Sequence, residues 1–299
     1  DGLIYDPSLK PYQVSADGKR SGTYDDRIVM TNKPSANGVM NSIVGLASAY
    51  PALKNYFPAE AERSLKNALM LWNKYVGEAD NVVRGAIELY YATGDEKFKN
   101  SFMPAILKQI DALGKSDDNQ EDNNRRRRNA GPNMSQILRV YHMLPADAKA
   151  KVDAAIPAYV ERLAAVGSGN PYSVPISGGG WGGNTQVISN SFNAYLVWKQ
   201  FPELVDPDMV LKGLNYLYGN HPYNNLSFVT GVGVGTKKVA YGNNRADYNV
   251  IPGGIVPGLL MRKPDFMENK DDYPFLWGEN ECCINTVPNY VMLNLACIE

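Results

Sequence analysis

PAEAERSLKNALMLWNKYV, residues 58–76, followed closely by NVVRGAIELYYATGDEKF, residues 81–98, decides the fold. In the first stretch Leu65, Ala68, Leu69, Trp72 and Val76 recur at three- and four-residue steps. That spacing places them in one apolar stripe along a helix. Pro58 stands near the helix start, where its fixed φ suits the first turn and its missing N–H is no loss. In the second stretch Val82, Val83, Ala86, Ile87 and Tyr90 share one face. Asp80 is the expected N-cap and Gly94 the stop. Two amphipathic helices joined by so short a spacer pack as an antiparallel pair.

Outward from this pair the same period continues. It begins at Ser35; residues 1–34, rich in Gly, Pro, Asp and Ser, read as an irregular lead-in. After Gly94, Asp95 is placed to cap a further helix through about Leu113. A polar loop follows over 115–133, then helices near 134–144 and 147–166. SGGGWGGN (177–184) ends a Gly/Ser/Pro loop, and helices near 185–200 and 207–218 come next. From Gly219 to Trp277 the helical period disappears, leaving short strand-like pieces such as LSFVTGVGV (226–234). A last helix, 288–297, is expected to begin at Pro288. Strand alternation is too sparse for an α/β sheet. The pattern predicts a single all-α domain over 1–299, a toroid of stacked helical hairpins with long irregular loops late in the chain. Long ordered loops on such a scaffold usually carry function, which directs attention to 219–281.

Composition narrows the function. A net charge of −1 over 299 residues gives no reason to expect nucleic acid or an anionic membrane as partner. Arg125–Arg128 lie within SDDNQEDNNRRRRNAGPN (116–133), among acidic and amide residues, and read as a solvated loop. No apolar run approaches the ~18–20 residues of a membrane span, and no signal peptide is visible. Three cysteines, two of them adjacent, cannot form a disulfide framework. Cys282 and Cys283 lack zinc-ligand spacing, His142 and His221 are remote in sequence, and the thiols are expected to pack as small apolar groups. GVGVG (231–235) has no following Lys-Ser/Thr, which argues against a phosphate loop. The nineteen tyrosines and four tryptophans suit a carbohydrate-facing surface and suit ordinary packing equally well.

Four blocks together resemble glycoside hydrolase family 9. ADNVVRGAIELYYATGDEKF (79–98) is similar to the family's "DELxWAAxxLYxATGDxxY" helix, and WGGNTQVISN (181–190) to its "WGSNxxxxxN". LNYLYGNHPYNNLSFVTGVG (214–233) resembles "LDYLLGxNPxxxSYVTGxG", and DYPFLWGENECCIN (272–285) resembles "DxxxxWxxNEVAIN". The blocks occur in the family's order and cover roughly residues 24–299. The resemblance implies an (α/α)6 barrel and hydrolysis of β-1,4-linked glucan with inversion at the anomeric carbon. It also implies a secreted or periplasmic protein, through the polymeric substrate.

Two departures qualify that expectation. The family's "DAGD" motif, which supplies the catalytic base, has no counterpart here, and about nine helices are countable rather than those of six full hairpins. The expected toroid lacks its first helices, and the base is expected from a segment absent from this chain, present as a separate polypeptide or lost. The family's "PHHR" sugar-binding motif corresponds to YGNNR (241–245), where Arg245 retains the arginine while Asn243 and Asn244 replace the histidines.

Inverting hydrolysis needs one carboxyl group to protonate the departing oxygen and another, roughly 6.5–9.5 Å away, to activate water. The acid should sit beside apolar surface, which favours its protonated form. Within WGENECCIN (277–285), Glu281 fits that description, with Trp277 one turn back if the segment is helical and Cys282, Cys283 and Ile284 as an apolar wall. Glu279 is the rival acid, and a plain structural role for Glu281 stays open. Asp25 and Asp26 beside Arg27 read as an ion pair rather than as a replacement base. Asp272 stands at the family's interval before Trp277, to orient the loop or bind substrate. Trp181 is either a stacking platform for a pyranose or a plug at the barrel end; its flanking glycines allow close approach of a ligand. Asn184 is expected to cap the next helix. Tyr223, Tyr241, Tyr248 and Tyr273 are candidate cleft residues, and His221 reads as a turn residue before proline. The chemistry requires no cofactor. Structural calcium stays open, since SDDNQEDNN (116–124) and MENKDD (267–272) are oxygen-rich without EF-hand spacing. Two competing readings are a carbohydrate-binding toroid that has lost its base and another toroid enzyme, a lyase or epimerase.

Overall fold

A computed structural model describes residue 16 and residues 34–113, 132–168, 172–175, 182–220, 225–237, 251–258, 281 and 286–298. These residues are mostly helical, with almost no sheet, and divide into two compact units, Asp1–Ser101 and Phe102–Glu299.

In the first unit α1 (Ala36–Leu53) packs on both α2 (Pro58–Tyr75) and α3 (Val83–Thr93). Ser35 caps α1, its Oγ accepting from Gly38 N at 3.1 Å. Pro58 opens α2 as expected. The buried stripe of α2 is Ala61, Ala68, Trp72 and Tyr75, with Leu65 and Leu69 half-buried at its margins. Trp72 meets Phe98 edge-on with ring centroids 5.4 Å apart, a geometry that suits aromatic quadrupoles. Gly94 ends α3 in the left-handed region (φ 71°), its N–H bonding Tyr90 O at 2.7 Å. Asp95 then receives Lys97 N at 3.0 Å, as its capping role required. Asp80 is a correction: the N-cap of α3 is Val82, with no side-chain cap bond. Asp80 instead pairs with Asn37, taking its Nδ2–H at 2.8 Å while its own N–H reaches Asn37 Oδ1 at 3.0 Å. A tertiary partner with both a donor and an acceptor outcompetes the local cap.

Helix α4 (Glu96–Asp111) follows, with Phe98, Phe102, Ile106 and Ile110 buried. The second unit adds α5 (Met134–Arg139), α6 (Ala146–Gly167), α7 (Asn184–Gln200), α8 (Asp208–Leu217) and α9 (Thr286–Ile298). The helix expected over 134–144 breaks after Arg139 into a 3₁₀ turn at Tyr141–Met143. The last helix starts two residues ahead of Pro288, because proline is tolerated anywhere in a first turn. The only paired strands among the described residues are two-residue pieces, Leu226–Ser227 and Gly235–Thr236, running parallel.

Helices α7 and α8 approach closely at Gly213, where a Cβ would fall 3.0 Å from Ser191 Cβ and 3.3 Å from Val187 Cγ1. The Ser191 hydroxyl can swing aside but its Cβ cannot. Gly213→Ala is therefore expected to cost about 1–2 kcal/mol, read as a lowered urea midpoint at unchanged m-value. An unchanged midpoint would mean that α8 slides freely on α7.

Helices α8 and α9 are joined by phenols. Tyr218 and Tyr290 share a 2.6 Å hydrogen bond, and the Tyr218 hydroxyl also reaches Asn294 Oδ1. Burial first, then the bond to Tyr218, holds the Tyr290 phenol above the ordinary range. Tyr141, part-buried and bonded to Asp153 at 2.6 Å, is likewise pushed up to about 12. A raised phenol favours the folded state below the unfolded pKa and loses that advantage as pH climbs towards the folded one. The thermal midpoint is thus expected to hold to about pH 10 and fall beyond it, and Tyr290→Phe should shallow that alkaline limb. Superimposable limbs would remove Tyr290 from the transition.

Candidate active site

The site region of the second unit is built where α7 and α9 begin. The glycine pair before α7 admits backbone: a Cβ on Gly182 would lie 2.4 Å from Pro257 O and 2.6 Å from Gly258 O. Asn184 completes the join, its N–H donating to Pro257 O and its Nδ2–H to Val256 O, each at 2.8 Å. Gly258, at φ 90°, lies flat against the Asn184 amide, where a Cβ would fall 2.3 Å from Oδ1. Residues 251–258 are tied in turn to the 226–237 loop. Val229 and Ile255 form an antiparallel bridge, Thr230 N reaches Gly254 O at 2.9 Å, and Val256 N reaches Phe228 O at 3.1 Å. Phe228, Val229, Ile255 and Val256 are fully buried, so this loop layer has its own apolar core. Asn184 Oδ1 and Thr230 Oγ1 are buried in it without a hydrogen-bond partner among the described residues.

Helix α9 meets α7 at their first turns, where Thr185 Oγ1 and Thr286 Oγ1 are 3.0 Å apart. Glu281 precedes this contact by five residues. It is half-buried and occupies an isolated β-bridge. Glu281 itself is thus bridged rather than helical, and the turn expected back to Trp277 lies outside the described residues.

The remaining site candidates, Trp181, Tyr223, Tyr241, Asn243, Asn244, Arg245, Asp272, Tyr273 and Trp277, lie outside the described residues. So do Asp25, Asp26, His221, Tyr248, Glu279, Cys282 and Cys283. Asn184 is a second correction. The N-cap of α7 is Gly183 without a side-chain bond, and the Asn184 amide is spent on Val256 O, 72 residues along the chain. The close approach that glycines were expected to grant a ligand is, at Gly182, granted to residues 257–258 of the same chain. Sequence reasoning missed the 251–258 segment and both threonines. The signal available for the segment was Pro257-Gly258, a second close-approach glycine to match Gly182. Among the described residues no helix is long and apolar enough to cross a membrane.

Comparison with known proteins now has a structure to rest on. The sequence model of glycosyl hydrolase family 9 matches residues 12–293. No curated protein matches the chain. Among solved structures, the cellulase Cel9M of C. cellulolyticum is 18% identical with a TM-score of 0.65, over 89% of this chain and 64% of that one. A mutant thermostable endoglucanase from Alicyclobacillus acidocaldarius is 16% identical with a TM-score of 0.66, over 93% and 58%. AaCel9A, solved in complex with cellobiose-like isofagomine, is 15% identical with a TM-score of 0.64, over 89% and 56%. The chain therefore spans between 56% and 64% of the length of these three structures. A likeness at such identity speaks to fold, and the match over 12–293 speaks to family: the chain belongs to glycosyl hydrolase family 9 and has its all-α, (α/α)6-barrel-like fold.

Proposed function

We propose that the protein is a glycoside hydrolase that cleaves β-1,4-linked glucan, of the cellulase type, by an inverting mechanism with Glu281 as general acid. The observation that carries this reading is the family match over 12–293, which includes the tryptophan-to-glutamate block. The half-buried, bridge-held setting of Glu281 supports it. AaCel9A's cellobiose-like ligand supports a glucan substrate.

The Glu281 carboxyl gives its proton to the glycosidic oxygen as the bond to the anomeric carbon breaks. Water attacks the opposite face, and its proton passes to a second carboxylate roughly 6.5–9.5 Å from the first. The product carries the inverted configuration, and Glu281 regains a proton from solvent. The base is assigned to a segment outside residues 1–299, because the family's aspartate motif has no counterpart within them. Trp181 is assigned to stack on a pyranose ring and Arg245 to hydrogen-bond its hydroxyls. No cofactor enters these steps, and the polymeric substrate places the reaction outside the cytoplasm.

The test is to follow the first products of cellohexaose by proton NMR. Newly formed α-anomeric ends at the cleavage site support the proposal. Only β-anomeric ends would overturn inversion, an unsaturated product would indicate a lyase, and binding without turnover would favour a carbohydrate-binding protein.

A further inference from the structure

We infer that the outward face of α9 is a docking seam, covered in the working enzyme by one amphipathic helix of the segment that supplies the catalytic base. This rests on the assignment of that base to a segment outside residues 1–299.

Helix α9, TVPNYVMLNLACI, has no charged residue. Its inward face is Thr286, Tyr290, Leu293 and Ala296, all buried. At 3.6 residues per turn these four occupy an arc of about 120°, and Val291, Met292, Leu295 and Ile298 occupy a second arc of about 120° on the opposite side. The second set is 47%, 49%, 55% and 81% exposed. The inward face is accounted for by packing on α7 and α8 and by the bonds of the Tyr218 hydroxyl to Tyr290 and Asn294. Elsewhere the chain coats its outer faces with charge: α2 presents Glu60, Glu62, Arg63, Lys66 and Lys74 to solvent. A helix apolar on two opposite faces is built to be covered on both.

The size and chemistry of the face select its occupant. Its 13 residues fall short of the ~20 that span a bilayer, and it has none of the lysines or arginines that draw an interfacial helix to anionic headgroups. The face is about 20 Å long and about 10 Å wide, which is the footprint of a single packed helix. Two folded copies of the chain would need nearer to about 800 Å² a side for a stable interface. In an (α/α)6 barrel every helix has helical neighbours on both sides, and this chain covers 56–64% of three such solved structures. A helix from the portion left unmatched has the shape and the apolar stripe that the seam requires.

The experiment installs a benzophenone side chain at position 295 of the glucan-hydrolysing enzyme, irradiates it and identifies the crosslinked peptides by mass spectrometry. Peptides from outside residues 1–299, in a helical segment that carries the family's aspartate motif, are expected. Crosslinks found only within one copy of residues 1–299, to a second copy or to an unrelated protein, or none at all, overturn the seam. Turnover gives a second reading. Leu295→Lys is expected to lower kcat on cellotetraose at least about 10-fold with unchanged circular dichroism, because a covered ammonium holds the docked helix away. Leu295→Met, of similar volume, should stay within about twofold of the parent. A leucine that faces only water tolerates lysine, so parental turnover in Leu295→Lys also overturns the seam. Hydrolysis by residues 1–299 with no further polypeptide present overturns the external base instead, and is read without any label on α9.

Discussion

Glu281→Gln is expected to fold, to bind cello-oligosaccharides as before, and to lose about 10²–10⁴-fold in kcat on unactivated glucan. The substitution keeps the shape and hydrogen-bonding reach of the side chain and removes only the acidic proton. Loss confined to kcat is the mark of an interaction made in the transition state, so KM should stay close to the parent value. Glycosides with an acidic leaving group depart without help and should retain most of their rate. Glu279→Gln is the necessary companion, since Glu279 stands two residues away and is the rival donor. The pair has a clear reading. A large loss at Glu281 with a small one at Glu279 supports the assignment, the reverse transfers it to Glu279, and unchanged turnover in Glu281→Gln removes that residue from the mechanism. Circular dichroism and isothermal titration with cellotetraose on the same preparations separate lost chemistry from lost folding or binding.

The parts of the fold that the sequence displays are those governed by neighbours within a turn or two. Pro58, Gly94 and Asp95 mark helix ends through their own φ values and side-chain reach, and the structure uses all three as expected. Asp80 and Asn184 look like caps on the same grounds and are not. Asp80 finds Asn37, 43 residues earlier, and Asn184 finds Val256, 72 residues later. Asn37 satisfies both an acceptor and a donor of Asp80, whereas the Asn184 side chain gives only its Nδ2–H to Val256 O and keeps Oδ1 buried without a partner among the described residues. The site divides the same way. Glu281 is recognisable because its signal is a short block with a tryptophan at fixed distance. The join at the start of α7 is invisible because it is made of pairings of remote positions: 182 with 257, 184 with 256, and 185 with 286. No periodicity or motif records such a pairing, since each residue alone is an ordinary Gly, Asn or Thr in a loop or first turn.

The second large effect is expected from Gly182→Ala. The methyl group would sit 2.4 Å from Pro257 O, 2.5 Å from Pro257 C and 2.6 Å from Gly258 O. These are backbone atoms, so no rotamer change relieves the contact and one of the two segments must move. Moving residues 257–258 breaks the bonds that Asn184 makes to Pro257 O and Val256 O, leaving buried carbonyls unpaired. Overpacking and a lost buried bond together set the cost at about 3 kcal/mol or more. Gly258→Ala reaches the same join from the other side. Its φ of 90° and the Asn184 Oδ1, which a Cβ would meet at 2.3 Å, penalise any side chain. Hydrogen exchange locates the damage more sharply than a melting curve. The Asn184 amide, protected in the parent by Pro257 O, should exchange rapidly in Gly182→Ala while α1–α3 of the first unit keep their protection. Retained protection at Asn184 would show that the join absorbs a methyl group, and the rigidity ascribed to the start of α7 would fail with it.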